Sequence, residues 1–446
     1  MHDTLIRACT LPTQEVVDIA VDNGVISRIA PEIADAAHTE LDARGLQALP
    51  GVVDAHVHFN EPGRADWEGV RSGSSAFAAG GGTLFVDMPL NSSPVTTDAA
   101  SFDAKLEVMQ RESVTDFALW GGLVPGNLEH LPDLAARGVV GFKAFMCNSG
   151  LAEFGGADDY TLLEGMRVAA RLGLPVAVHA ENDAIPAGLA RAAQARGETD
   201  ARAYLNSRPV LAELEAIQRA ILFAEETGCA LHVVHISTAR GVKLVAAAKA
   251  RGVNVTAETC PHYLWFCDDD LERLGATLKC APPVRDATTR DALWNAVLEG
   301  QVDIIGSDHS PAPPSMKTGT DFFKIWGGIS GVQSTLPAML SAGHRKRGLA
   351  LEAISTMLSA NPASRFGLAG KGRLEVGFDA DIALVALDET FTLETVLYKH
   401  VQSPYLGERF TGRVARTLLR GQTVWDGQNV NLETLGQFVR PGRMAT

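Results

Sequence analysis

The apolar positions of the chain fall into two textures. Before Gly51, the stretch EVVDIAVDNGVISRIA alternates apolar and polar residues on either side of Asp22, Asn23 and Gly24. Alternation about an Asn-Gly pair predicts an antiparallel hairpin. From Gly51 to about Ser310 the pattern changes to short continuous apolar runs: VVDAHVHF, TLFVDMPL, FALWGGLV, VVGFKAFM, PVAVHAE, LHVVHIS, VNVTAETC and VDIIGSDH. Helical spacing separates them, as in 98–111, 159–173, 212–228 and 286–300. Apolar runs alternating with helices predict a parallel sheet wrapped by helices, and eight such units predict an α/β fold closed as a (β/α)8 TIM-like barrel over residues 50–367. After about residue 370 strands return, in GRLEVGFDADIALVAL and RVARTLLRGQTVWDG. Neither end of the chain is long enough to build a good core alone. Residues 1–49 and 368–446 are therefore expected to combine as one small β-sandwich domain beside the barrel.

Composition narrows the partners. With 446 residues and 46% hydrophobic content the chain has material for a large core. A net charge of −14 argues against nucleic acid and against an anionic membrane surface, both of which select basic proteins. No stretch approaches the roughly twenty apolar residues of a membrane span, and the N-terminus lacks a basic segment followed by an apolar run. Cys9, Cys147, Cys229, Cys260, Cys267 and Cys280 are scattered without CxxC spacing, which fits reduced thiols in a cytoplasm.

Chemistry-bearing residues recur where the apolar runs end. His56 and His58 are two apart in VVDAHVHF, so both face one side of a strand and can share a metal; an ordinary hydrogen-bonded pair is the plainer alternative. Lys143, His179, His235 and Asp308 end the fourth, fifth, sixth and eighth runs. Barrels of this kind hold their active sites at the carboxyl ends of the strands, so six polar residues there predict one shared site. Singly, His179 and His235 also read as satisfied core histidines. An ammonium at Lys143, among Val140, Phe142 and Phe145, carries a heavy desolvation penalty. Either a carboxylate pairs with it, or the neutral amine adds carbon dioxide and the carbamate bridges two metals.

The stretches DAHVHFNEPGRADWEG, VDMPLNSSP, GVVGFKAFMCNSG, VAVHAEN, LHVVHIS, ETCPHYL, KCAPPVRD, SDHSPAPP, KIWGGISGVQS and GRLEVGFDADIALV resemble the cyclic amidohydrolases of the amidohydrolase superfamily, and among them the allantoinase family, over nearly the whole chain. That resemblance implies that His56, His58 and Asp308 hold one divalent ion, that His179 and His235 hold a second, and that N6-carboxylated Lys143 bridges them. Neutral imidazoles with two anionic ligands suit zinc and tolerate cobalt or manganese. Two ions roughly 3.5–4 Å apart would acidify a bridging water, with Asp308 as catalytic base toward it and then as acid toward the departing ring nitrogen. The implied reaction is hydrolytic opening of a cyclic amide.

Asn60 stands where dihydroorotases usually carry an arginine that grips a substrate carboxylate. Asparagine cannot replace a bidentate clamp, so a neutral ring is favoured. The loop after the lysine reads FMCNSG, without the tyrosine that hydantoinases and dihydropyrimidinases generally carry there. Allantoin, opened to allantoate, fits what remains; hydantoinase-like, dihydropyrimidinase-like and dihydroorotase-like activities are the alternatives, with an inactive scaffold further off. Family placement also suggests Asn60, Ser149, His262 and Gly328 as substrate-binding positions, against loop-stabilising, structural or plain turn roles. Arg64 reads equally as a loop-supporting salt bridge, and Glu181 as a group orienting His179 or as a solvent-facing carboxylate. Relatives suggest a homotetramer, and the loop from Ser149 to Asp158 is a candidate lid.

Overall fold

A computed structural model describes residues 1–442. The hairpin forms about its Asn-Gly turn: Val16–Asp22 pairs antiparallel with Val25–Ala30, and Asn23 and Gly24 adopt φ of 53° and 80°. Two consecutive left-handed residues give the turn a twist that matches the flanking strands. Along its other edge, His2–Thr10 pairs in parallel first with Ala37–Asp42 and then, at Thr10, with Gln47–Pro50. A bulge between Ile6 and Cys9, with Ala8 at φ 53°, lies between the two pairings, and the backbone N–H of Ala8 there donates to Asp18 Oδ1 at 2.8 Å.

The sheet then crosses to the far end of the chain. Gln47–Pro50 pairs antiparallel with Ile382–Thr392, which pairs with Arg409–Leu419, which pairs with Gln422–Trp425. Its core is shared between the two ends: Ile6, Val17, Ile19, Val21, Ile26 and Ala48 pack with Ile382, Leu384 and Leu418. The first half of GRLEVGFDADIALVAL is not a strand; Gly370, Gly372 and Gly377 turn the backbone with φ of 76°, 80° and 93°. Residues 443–446 of the expected second half of this domain lie outside the described residues.

The eight apolar runs are the eight barrel strands: Val52–Val57, Gly82–Asp87, Asp116–Leu119 continued by Gly121–Gly122, Phe142–Phe145, Val176–His179, Leu231–Val233, Val255–Thr259 and Ile304–Ile305. Neighbours pair in parallel, and a bridge between Val57 and His309 closes the ring. Period two sorts their residues. Val53, Ala55, Leu84, Val86, Ala118, Trp120, Ala177 and Ile304 form one cluster, whereas Val52, Phe85, Phe117, Val176 and Val178 pack in the larger cluster with the helices. Trp120 breaks the third strand: the part before it pairs with the second strand, the part after it with the fourth, and its indole Nε1 donates to Ala55 O at 3.0 Å.

The four helices read from spacing appear as Ala99–Glu112, Asp159–Leu172, Val210–Thr227 and Ala287–Leu298. Asp98, Asp158 and Asp286 cap three of them by accepting from the third backbone N–H of the helix. Missing from the sequence reading are the wide π-type turns at Met339–Arg345 and Thr356–Ala360, which follow the eighth strand.

One buried ion cluster joins the barrel to the terminal sheet. Lys371 Nζ lies 2.6 Å from Asp116 Oδ2, 2.6 Å from Asp379 Oδ2 and 2.8 Å from Asp381 Oδ2, and Arg420 also pairs with Asp116. Asp116 opens the third barrel strand, while the other partners belong to the C-terminal segment. Removing the one cation shared by these carboxylates leaves buried negative charge uncompensated. Lys371→Met is expected to destabilise the protein by about 3–5 kcal/mol, read as a lower urea midpoint at constant slope; a midpoint within error of the wild type would show that the cluster holds nothing together.

Candidate active site

The barrel strands end in backbone geometry that frees side chains. His235 and Asp308 both adopt left-handed φ, 39° and 45°, two residues past the end of the sixth strand and three past the end of the eighth. These strands are therefore shorter than the apolar runs that encode them, and the residues after them turn into a common mouth. His56 and His58, at the end of the first strand, meet Asp308 there: Oδ1 of Asp308 is 3.3 Å from His56 Nε2 and 3.5 Å from His58 Nε2. Ring centroids continue the chain of contact, 5.4 Å from His56 to His235 and 4.6 Å from His235 to His179. Phe145 stacks on His179 at 4.4 Å.

Below these rings is a frame of buried carboxylates. Glu258, on the seventh strand and fully buried, receives His56 Nδ1 at 2.8 Å, His232 Nε2 at 3.1 Å and the backbone N–H of His235 at 3.2 Å. Burial pushes its carboxyl up, but His56 and His232 outweigh that and hold it well below the usual carboxylate range. Because Nδ1 of His56 is turned to Glu258, Nε2 is the nitrogen that faces Asp308. Asp54, also buried, ties strand one to strand eight through the N–H groups of His56 and Ser307, and burial lifts its carboxyl to about 7.

His179 is oriented the opposite way. Its Nε2 lies 2.8 Å from Glu181 Oε2, and Arg208 Nη1 donates to the same oxygen at 2.6 Å. Glu181 is thus buried and paired, not solvent-facing. Its Nε2 contact leaves Nδ1 of His179 as the free ring nitrogen. Burial depresses the pKa values of His56, His179 and His235, which favours the neutral ring.

Lys143 is fully buried, and its Nζ has no hydrogen-bond partner among the described residues. The Phe145 ring centroid lies 5.2 Å from it. Desolvation brings the amine down to about 8, against the pull of Asp308 and Glu258. Of the two sequence readings, the carboxylate-paired ammonium is the one the side chain does not adopt.

Over the rings opens a cavity of about 500 Å³, lined by His56, His58, His179, His235 and Asp308 and walled by Asn91, Ser149, Arg208, Lys279, Trp326 and Gly328. Ser149 and Gly328 therefore line the space the resemblance assigns to substrate. Asn60 and His262 stand back from it. Asn60, at φ 67°, donates from Nδ2 to Pro311 O at 3.3 Å and supports the loop after Asp308. His262 is buried against Tyr263, with ring centroids 4.2 Å apart, and burial lowers its pKa to about 4. Arg64 spans loops: Nη2 meets Glu153 Oε1 at 3.2 Å, Nη1 donates to Asn91 O at 3.1 Å, and the guanidinium lies over Trp67.

Sequence reasoning passed over Glu258, Asn91 and Arg208. A carboxylate inside the apolar run VNVTAETC was a usable signal for Glu258, since a strand buries such a group only with partners. Asn91 sat inside VDMPLNSSP without being singled out. Arg208 follows the short helix Ala201–Ser207 and carries no periodic mark at all.

Although burial opposes it, Arg208 and His179 hold the carboxyl of Glu181 at about 2, below its usual 4.5. A depressed carboxylate adds stability that is present above pH 4.5 and is lost as pH falls towards 2. The stability gap between wild type and Glu181→Gln, measured by urea unfolding, is expected to be widest near neutral pH and to close on acidification through that window; a gap independent of pH would contradict the pairing.

The Amidohydrolase family model matches residues 48–424. The allantoinase of Rubrobacter xylanophilus is 57% identical over 96% of this chain and 95% of its own length, and that of Deinococcus radiodurans is 53% identical over 98% and 99%. Among solved structures, the L-hydantoinase (dihydropyrimidinase) of Arthrobacter aurescens superposes with a TM-score of 0.96 at 36% identity, covering 99% of this chain and 100% of that one. With family model, relatives and barrel mouth in agreement along almost its full length, the chain belongs to the amidohydrolase family, in the branch that holds these allantoinases.

Proposed function

We propose that the protein hydrolyses the cyclic amide of allantoin to give allantoate. Near-full-length identity of 57% and 53% to two allantoinases carries the choice of ring. Hydantoinase-like and dihydropyrimidinase-like turnover is the second reading, favoured by the fold-level likeness to the Arthrobacter enzyme.

The site's chemistry fits two divalent ions. His56, His58, His179, His235 and Asp308 line one cavity, and the buried Lys143 amine has no hydrogen-bond partner among the described residues, which supports its modification to an anionic ligand. On this reading His56, His58 and Asp308 would hold one ion and His179 and His235 the other, with Lys143, as its N6-carboxylate, as the shared ligand. Bound, the ions supply Lewis-acid polarisation of the ring carbonyl and an acidified water. Zinc suits the ligand set, with cobalt or manganese as workable substitutes.

The chain's own residues do the rest. Glu258 and Glu181 fix which nitrogen His56 and His179 present, so the ligand set is assembled before substrate enters. Asp308 takes the proton of the attacking water at a carboxylate oxygen and returns it to the ring nitrogen as the C–N bond breaks, sparing the poor departure of an amide anion. Ser149 and Gly328 border the ring's space, and the walls limit bulk water. Six unpaired cysteines fit a reducing compartment such as the cytoplasm. No helix among the described residues is long and apolar enough to cross a membrane. Assembly as a homotetramer rests on family resemblance and is checked by sedimentation.

Steady-state rates on allantoin, 5-substituted hydantoins, dihydrouracil and dihydroorotate test the reading, with Lys143→Ala and a chelated sample run alongside. Allantoin is expected to dominate, and activity to fall to background on chelation and in the variant. Preference for another ring overturns the substrate; activity surviving both treatments overturns the metal centre.

A further inference from the structure

Arg208 serves two environments at once. Its Nη1 holds Glu181, which is 1% exposed, whereas the arginine side chain itself is 22% exposed and lines the same cavity as His179 and Asp308. That one bond leaves most of the fork unused: Nε and Nη2 bond to no protein acceptor among the described residues, and neither is sealed in the core. The guanidinium carbon lies 5.5 Å from the Tyr204 ring centroid, and Lys279 Nζ lies 4.6 Å from the same ring. The lysine is occupied elsewhere, donating to the carbonyl of Ile325. Arg208 is therefore a pre-positioned pair of donors, held in orientation from behind and open in front.

The charge of the pair decides what it can hold. Glu181 already neutralises the guanidinium, so the free edge offers directional donors with little net positive charge. Such an edge suits a neutral carbonyl oxygen better than a carboxylate. A hydantoin ring has two carbonyls, both in the ring; a urea substituent on that ring adds a third, displaced from the ring and long enough to reach the wall.

Resting on the reading of the site as one for allantoin, we propose that Arg208 is a specificity-determining residue: its Nε and Nη2 donate to the carbonyl oxygen of the ureido substituent while Nη1 stays on Glu181. Selection of the ureido-bearing ring then comes from a group outside the proposed ligand set. It also means that a residue which orients His179 through Glu181 is the same one that senses the substituent.

The test compares kcat/KM for allantoin and for unsubstituted hydantoin in the wild type, in Arg208→Met and in the double variant Glu181→Gln with Arg208→Met. The double variant leaves no unpaired buried charge and keeps an acceptor for His179. Losing the two guanidinium hydrogen bonds is expected to lower the allantoin-to-hydantoin ratio by roughly 10- to 100-fold in both variants, mainly through KM for allantoin. Calorimetric binding of allantoin to chelated, metal-free protein is expected to weaken by the same factor, a readout independent of turnover. Arg208→Lys keeps a cation on Glu181 without the planar fork, guards against misfolding, and is expected to lower the ratio by about tenfold. If both substrates lose rate together and the ratio and the calorimetric affinity hold, Arg208 acts only through Glu181 and His179 and the inference falls. A wild type that opens hydantoin but not allantoin overturns the functional reading, and this inference with it.

Discussion

A single carboxylate sets the geometry of the barrel mouth. Glu258 is shared among His56 on the first strand, His232 on the sixth and the N–H of His235 just beyond it. Without such partners a buried carboxylate is unaffordable, so strand one and strand six must arrive together for strand seven to keep its charge. That requirement fixes the imidazole of His56 in one tautomer and aims its other nitrogen at Asp308. Glu181 applies the same logic to His179 from the other side, with Arg208 as the counter-ion. The catalytic chemistry inherits its order from two buried anions that need not touch the substrate themselves.

The same principle ties the barrel to the terminal sheet. Lys371 is acceptable in its buried position because Asp116, Asp379 and Asp381 surround it, and Asp116 is acceptable because Lys371 and Arg420 approach. Buried charge thus serves as registration at both ends of the barrel strands, for the site at the mouth and for the junction at the start of strand three.

Much of the fold was written in local periodicity. Each barrel strand is an apolar run and the quoted helices carry helical spacing, three of the four with an Asp cap at the start. The proposed ligands were visible as polar residues closing those runs. Interactions that only close in three dimensions were not visible. The break at Trp120 looks apolar from its neighbours, yet it redirects a strand because the indole reaches Ala55 across the barrel. GRLEVGFD alternates like a strand, but glycines at positive φ and the demands of Lys371 make it a turn. Asn60 sits in the motif where the resemblance puts a substrate contact; its Nδ2 donates to the carbonyl of Pro311, while its buried Oδ1 has no partner among the described residues. Arg208 had no local signature because its importance lies in what it touches 27 residues away.

The shared terminal sheet carries a consequence for synthesis. On the ribosome, strand Gln47–Pro50 emerges early and its partner Ile382–Thr392 emerges near the end, while Asp116 waits for a lysine 255 residues later. Through most of translation the nascent chain presents an open sheet edge and an unmatched aspartate at the base of a barrel strand. Chains cut short before residue 371 lack both the edge cover and the cation, and so leave this seam exposed.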